Sequence, residues 1–284
     1  MRAGFLVLVI TWLLPAPESV TTAQAAAARA NRVSVAYVPP KNAAHQPIYE
    51  LLQGVSFLER LQQFLAPFRL PRALLVKVAG CDGDANAFYE NDAITVCYEY
   101  VEQLRKTMPA QTTVAGVTPF DAVAGPLVDS CLHEFAHALF EMLELPVLGR
   151  EEDAADQVSA YIMLQLGKAE ARRLIGGVAH AYQTEAEAAT APLAMTHFAD
   201  VHGTPAQRFY NVLCIAYGAD PETFNYLVDV DERRSTLPQH RRAWCPWEYI
   251  AVRKSFERYI RPHVDEAKLA KVRTMDWLRP DDGR

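Results

Sequence analysis

Along Gln46 to Leu65, apolar residues fall at Ile48, Leu51, Leu52, Val55, Leu58, Leu61, Phe64 and Leu65. This three-and-four spacing gathers them on one face and predicts a helix, closed by Pro67. Before it, Arg32 to Val38 alternates and is rich in β-branched residues, which predicts a strand. Ala73 to Ala79 reads as a second strand, and Ala93 to Val101 as a third that runs into a short helix near Gln103. Past Gln111 the texture changes to long helical runs. Thr118-Pro119-Phe120-Asp121 carries the cap, first-turn proline and early acid of a helix start. Gly125-Pro126 is expected to interrupt that run before it continues to Leu145. Further helices are predicted over Glu151 to Leu166, Ala169 to Gln183, Pro205 to Tyr217 and Pro246 to Ile260. The pattern describes an α+β chain with an α/β lobe over residues 26–111 and a helical lobe over residues 112–284, both parts of one domain.

Residues 1–25 are set apart from that fold. Met1-Arg2 is a short basic start, Phe5 to Leu14 an apolar run, and Thr22-Ala23-Gln24-Ala25 ends in an A-x-A pattern. That is the layout of a secretory signal peptide, with cleavage expected after Ala25. The apolar run is about ten residues against the roughly 20 needed to span hydrocarbon, and Pro15 follows it, so an anchor is disfavoured. The mature chain is therefore expected to be exported, to a periplasm or the exterior, with no membrane span. A formal net charge of −6 and the lack of a basic stripe exclude a nucleic-acid partner. In an exported chain five cysteines serve as individual staples. Cys81 and Cys97 flank the turn-rich Gly83-Asp84-Ala85-Asn86, Cys214 and Cys245 make the other separated pair, and Cys131 is left as a buried free thiol.

The chemistry concentrates at His133-Glu134-Phe135-Ala136-His137. Residues four apart share a helix face, so both imidazoles can reach one zinc ion from a rigid element. Glu134, one position on, can reach a water there without being a ligand and act as general base during attack on a carbonyl. The bland alternative is a surface helix with two histidines. The flanking Val128, Cys131, Leu132, Phe135, Leu139 and Met142 argue against it, because they bury the helix, and unpaired buried histidines and a buried glutamate are costly.

A catalytic zinc wants a third protein ligand and an open position. Glu151, Glu152, Asp153 and Asp156 are all candidates. An acidic first turn stabilises a helix N-terminus by about 0.3–1 kcal/mol per charge, which is reason enough for Glu151 and Asp153. Glu152 and Asp156 differ in being i and i+4, with Ala154 and Ala155 keeping the surface between them small.

Glu152-x-x-x-Asp156 downstream of H-E-x-x-H resembles the glutamate-zincin arrangement of thermolysin and of the prenyl-protein and heat-shock membrane peptidases. The resemblance implies one Zn2+ per chain held by His133, His137 and Glu152, with Asp156 orienting a zinc-bound histidine. Asn86-Ala87-Phe88-Tyr89 is similar to the edge strand with which thermolysin-like enzymes hold substrate backbone, which implies substrate contacts at Asn86 and Ala87. His202, with Arg208 six residues on, resembles the histidine-to-arginine spacing of the membrane peptidases; it implies His202 as oxyanion donor and Arg208 at the substrate, with His197 competing for the histidine's role. The whole layout, including Gly149-Arg150-Glu151-Glu152 and Gln207-Arg208-Phe209-Tyr210-Asn211, looks like a bacterial metallopeptidase family catalogued as a domain of unknown function. That likeness implies a zincin-like fold and hydrolysis of a peptide or protein substrate. Two alternatives stay open: zinc hydrolysis of a non-peptide amide or ester, and a catalytically inactive, zinc-stabilised binding protein of the cell envelope. An open coordination position beside a base has no use in the second.

Overall fold

The computed structural model describes residues 32–188, 194–227 and 237–273; the expected signal peptide lies outside them. The alternating stretch forms β1 (Val33–Tyr37), and two helices, α1 (Gln46–Gly54) and α2 (Phe57–Leu65), carry the chain to β2 (Leu74–Ala79). The strands β3 (Ala87–Glu90) and β4 (Ala93–Cys97) follow. Their order in the sheet is β1-β2-β4-β3, with β1, β2 and β4 parallel and β3 antiparallel to β4. Asn91 and Asp92, at φ 52° and 60°, make the tight link between β3 and β4. Two residues at positive φ give the hairpin whose twist suits the strands, and asparagine and aspartate tolerate that conformation best after glycine. Among the described residues no strand pairs with the outer edge of β3.

The run predicted as one helix over Gln46 to Leu65 is two, broken at Ser56, whose φ is 51°. Periodicity cannot register such a break, because the apolar spacing continues across it. The physical gain is in packing: after the turn Phe57, Leu58, Leu61, Phe64 and Leu65 are all buried. The Tyr37 hydroxyl accepts the Leu58 N–H at 2.8 Å, which satisfies a first-turn donor that has no partner within the helix. Similarly β4 stops at Cys97, and α3 (Tyr98–Thr107) begins at once, earlier than the strand predicted to Val101. Here the Glu99 carboxylate accepts the N–H groups of Cys81 and Gly83 at 3.0–3.1 Å, and a disulfide joins Cys81 to Cys97.

The helical part comprises α4 (Asp121–Met142), α5 (Glu151–Met163), α6 (Lys168–Ala188), α7 (Pro205–Ala219) and α8 (Cys245–Tyr259). Gly125-Pro126 does not interrupt α4. Its role is tertiary, since α4 crosses α6 so closely at Gly125 and Gly177 that a Cβ on Gly177 would lie 2.0 Å from the Asp121 carbonyl oxygen. Pro126 gives up one intrahelical bond near the helix start, which the rest of a 22-residue helix outweighs. Thr204 and Gln207 form a reciprocal capping box at the start of α7, with Pro205 in the first turn. A second disulfide joins Cys214 on α7 to Cys245 on α8, and Cys131 is free and buried.

One cluster of buried side chains runs from Val33 to Val272, so sheet and helices share a core. Phe68, after α2, meets Phe135 of α4 edge to face at 4.9 Å between ring centroids. Near the C-terminal end, the Asp265 N–H donates to Pro67 O at 2.8 Å, returning the chain to the N-terminal half. A small mixed sheet with helices segregated along the chain is an α+β fold. Among the described residues no helix is long and apolar enough to cross a membrane.

Candidate metal centre and its cleft

Two faces of α4 do different work. Val128, Cys131, Leu132, Phe135 and Leu139 are 0 % exposed and fix the helix in the core. Pro126, Asp129, Ser130, His133, Glu134, His137, Phe140 and Glu141, at three-and-four spacing, line the floor of a cleft of about 1140 Å³. The chain then turns through Leu143 to Arg150, with Glu144 and Gly149 at positive φ, and α5 begins at Glu151 beside the end of α4.

That turn brings the acids onto the histidines. His133 Nδ1 lies 2.8 Å from Asp156 Oδ1, and its Nε2 lies 2.9 Å from Glu152 Oε2. His137 Nδ1 lies 2.8 Å from Glu151 Oε1, and its Nε2 lies 3.2 Å from His133 Nε2 and 3.3 Å from Glu152 Oε2. His202, from the link before α7, brings Nε2 within 2.9 Å of the same Glu152 oxygen, and its ring stacks on that of His133. The donor atoms of His133, Glu152 and His202 all lie within 4.8 Å of one another, a group able to hold a metal ion. His197 instead sits exposed in its own short turn, with Nδ1 3.2 Å from Ala194 O.

The charges at the floor interlock. Burial disfavours the charged His133 ring, but hydrogen bonds with Asp156 and Glu152 carry its pKa up to about 10. The bond with His133 holds Glu152 down at about 2 against the cost of its own burial. Burial also works against ionised Asp156, yet His133 and Arg208 hold it at about 2. Arg208 grips Asp156 with two donors, Nε to Oδ2 at 2.8 Å and Nη2 to Oδ1 at 2.6 Å, and so meets the centre through Asp156. Burial raises the Glu134 carboxyl, while His133, His137 and the Tyr89 N–H pull it back.

Asn86, Ala87 and Tyr89 line the opposite wall, so the outer edge of β3 borders the cleft above Glu134. Asn86 Oδ1 accepts the Ala87 N–H at 2.9 Å. The sequence motifs passed over a polar layer behind His133. Asp129 is buried, accepts Ser159 Oγ at 2.6 Å and the Tyr182 hydroxyl at 3.2 Å, and is pushed up by burial and by nearby Asp156. Arg208 lies over the Tyr182 ring at 4.6 Å, and Ser130 donates to the Tyr100 hydroxyl at 2.8 Å. One local signal pointed there: Asp129 is four residues before His133, on the same helical face.

Imidazole and carboxylate donors converging at the floor of a cleft are the chemistry of a metal centre. Residues 37–260 match the family DUF4344, described as "Putative metallopeptidase", and the chain belongs to that family. Neither the curated proteins nor the solved structures contain a match. The family implies a metal ion and a peptide or protein substrate, and the two disulfides are compatible with an exported protein.

Proposed function

We propose that the protein is a zinc peptidase of zincin-like architecture, exported by a signal peptide over residues 1–25, that hydrolyses peptide bonds in the cleft between β3 and α4. The observation that carries this reading is the meeting of His133 Nε2, His137 Nε2 and Glu152 Oε2 at 2.9–3.3 Å, with Glu134 on the same helical face. Two imidazoles and one carboxylate are a ligand set of catalytic zinc sites. When bound, the ion supplies a Lewis acid that polarises a carbonyl oxygen and makes water a nucleophile near neutral pH.

The chain's own residues do the rest. Glu134 takes the proton of the attacking water and hands it to the departing amine. Its partly hydrophobic burial and raised pKa suit a carboxylate that must hold a proton between those steps. Asp156, fixed by Arg208, holds the tautomer and orientation of His133 through Nδ1. The outer edge of β3 offers the Ala87 carbonyl, and beside it the Asn86 side chain, to an extended peptide, as strand addition requires. During turnover His202 donates to the oxygen on which negative charge develops.

Glu134→Gln tests the assignment. It keeps every ligand and removes the base, so the variant should bind zinc with wild-type stoichiometry and lose hydrolysis by several orders of magnitude. Cleavage of a mixed peptide library, followed by mass spectrometry beside zinc analysis, reads both. Substantial turnover by the zinc-loaded variant would remove Glu134 from the mechanism.

A further inference from the structure

The three imidazoles at the centre are mounted in the same way. Each turns Nε2 towards Glu152 Oε2, at 2.9 Å for His133, 3.3 Å for His137 and 2.9 Å for His202. Each has a carboxylate on its other nitrogen: Asp156 at 2.8 Å from His133 Nδ1, Glu151 at 2.8 Å from His137 Nδ1, and Asp200 at 3.5 Å from His202 Nδ1. A carboxylate on the far nitrogen is the usual companion of a metal-binding histidine, because it fixes the tautomer and aims the ring. His202 thus has a carboxylate facing its far nitrogen as the two histidines of the H-E-x-x-H helix do, at a longer distance.

From this we infer that His202 is a fourth protein ligand of the metal in the resting enzyme. The inference rests on the proposed reading that the ion sits among His133, His137 and Glu152. Zinc bonds of about 2.0–2.1 Å in a tetrahedron put neighbouring donors roughly 3.3 Å apart. The three imidazoles lie 2.9–3.3 Å from Glu152 Oε2 and His133 lies 3.2 Å from His137, close to that spacing, and the donor atom of His202 lies within 4.8 Å of those of His133 and Glu152. The loop is also built to hold its histidine. Asp200 Oδ1 accepts the His202 backbone N–H at 2.9 Å, and Arg150, the residue before Glu151, donates to the carbonyls of Asp200 at 3.0 Å and Val201 at 2.6 Å. The residue that opens the ligand helix therefore also pins the segment bearing the fourth donor.

Four protein donors make a closed centre, whereas hydrolysis needs a position for substrate. Of the four, His202 is the one carried by a loop, and its side chain is 41 % exposed against 5 % for His133. It is therefore the donor that a substrate carbonyl displaces. Once displaced, the ring keeps its Nδ1 proton facing Asp200 and takes a proton from solvent at the freed Nε2, and the resulting Nε2–H stands beside the reacting oxygen, which joins the resting role to the donor role proposed above. Access to the centre is then set by how firmly Asp200 and Arg150 hold the loop.

Counting imidazoles decides the matter without any activity measurement. X-ray absorption at the zinc edge should show three imidazoles in the zinc-loaded wild-type chain and two in His202→Ala. The same variant should bind zinc at least tenfold more weakly in competition with a chromophoric chelator. Two imidazoles in the wild type would overturn the inference and leave the proposed peptidase centre standing, with His202 a hydrogen-bond donor to Glu152 alone. A wild-type chain that takes up no zinc, or a His133→Ala variant that binds it as tightly as the wild type, would bring down the centre itself and the inference with it. Should His202→Ala fail to fold, the wild-type count still decides.

Discussion

His133 and His202 face the same carboxylate oxygen from opposite kinds of structure. His133 stands on a 22-residue helix, its side chain 5 % exposed and both ring nitrogens against acids at 2.8–2.9 Å. His202 stands on a short link between a 3-10 turn and α7, 41 % exposed, with its far nitrogen 3.5 Å from Asp200. The same contrast divides the cleft. Its floor is made of helix faces whose other sides are core, and its rim is a strand edge and a loop. Groups that must stay in place gain from a rigid, buried mount, while groups that meet or yield to a substrate gain from exposure.

The largest effect is expected at the floor. Glu152→Ala removes the one carboxylate on which all three imidazoles converge, so zinc binding should weaken more than in any other variant proposed here while the fold persists, as read by metal titration beside circular dichroism. If the variant held zinc as firmly as wild type, the ligand would be another acid of α5 and Glu152 would drop out of the centre. A change behind the rim should act on stability instead. Replacing Cys81 and Cys97 together by serine opens a loop of 16 residues and should cost about 3 kcal/mol in denaturant unfolding, with zinc affinity unchanged. Loss of zinc in that variant would show that floor and rim are not independent. The smallest effect is expected one layer behind the ligands. Asp156→Ala removes the partner of His133 Nδ1 and should weaken zinc binding about 10–100-fold, or roughly 1.4–2.7 kcal/mol. A metal-free Asp156→Ala protein would make Asp156 a ligand rather than the orienting group.

These contrasts were unevenly legible along the chain. The spacing of apolar residues around His133 and His137 already implied a buried helix with its histidines on one face, and Val128, Leu132 and Phe135 lie in the core accordingly. The disulfide partners Cys81 and Cys97 could be read from the turn they flank. The break at Ser56 could not, because a left-handed residue leaves apolar periodicity intact. Gly125-Pro126 misled for a related reason: the pair has the composition of a helix end, yet Gly125 serves the close crossing with α6, a partner some fifty positions away. Asp129 and Tyr182 carry no motif, and their meeting depends on the same crossing.

By itself, the sequence determined the periodicities, the helix and strand types, and the presence on one face of two histidines and a glutamate. Those features depend on residues within about two turns of one another, where backbone geometry alone sets which side chains are neighbours. Spacing singled out Glu152 and Asp156 among the four acids between Glu151 and Asp156, but it could not say which partner each meets, because all four lie within two turns of the same helix. Only the tertiary structure decided among their partners. The angle at which α5 meets α4 after Gly149 brings Glu152 to His133 Nε2, Asp156 to His133 Nδ1 and Glu151 to His137 Nδ1. The arrival of His202 at the same oxygen was decided there too, since Arg150 and the Asp200–Val201 carbonyls are about fifty residues apart and meet through packing rather than local geometry.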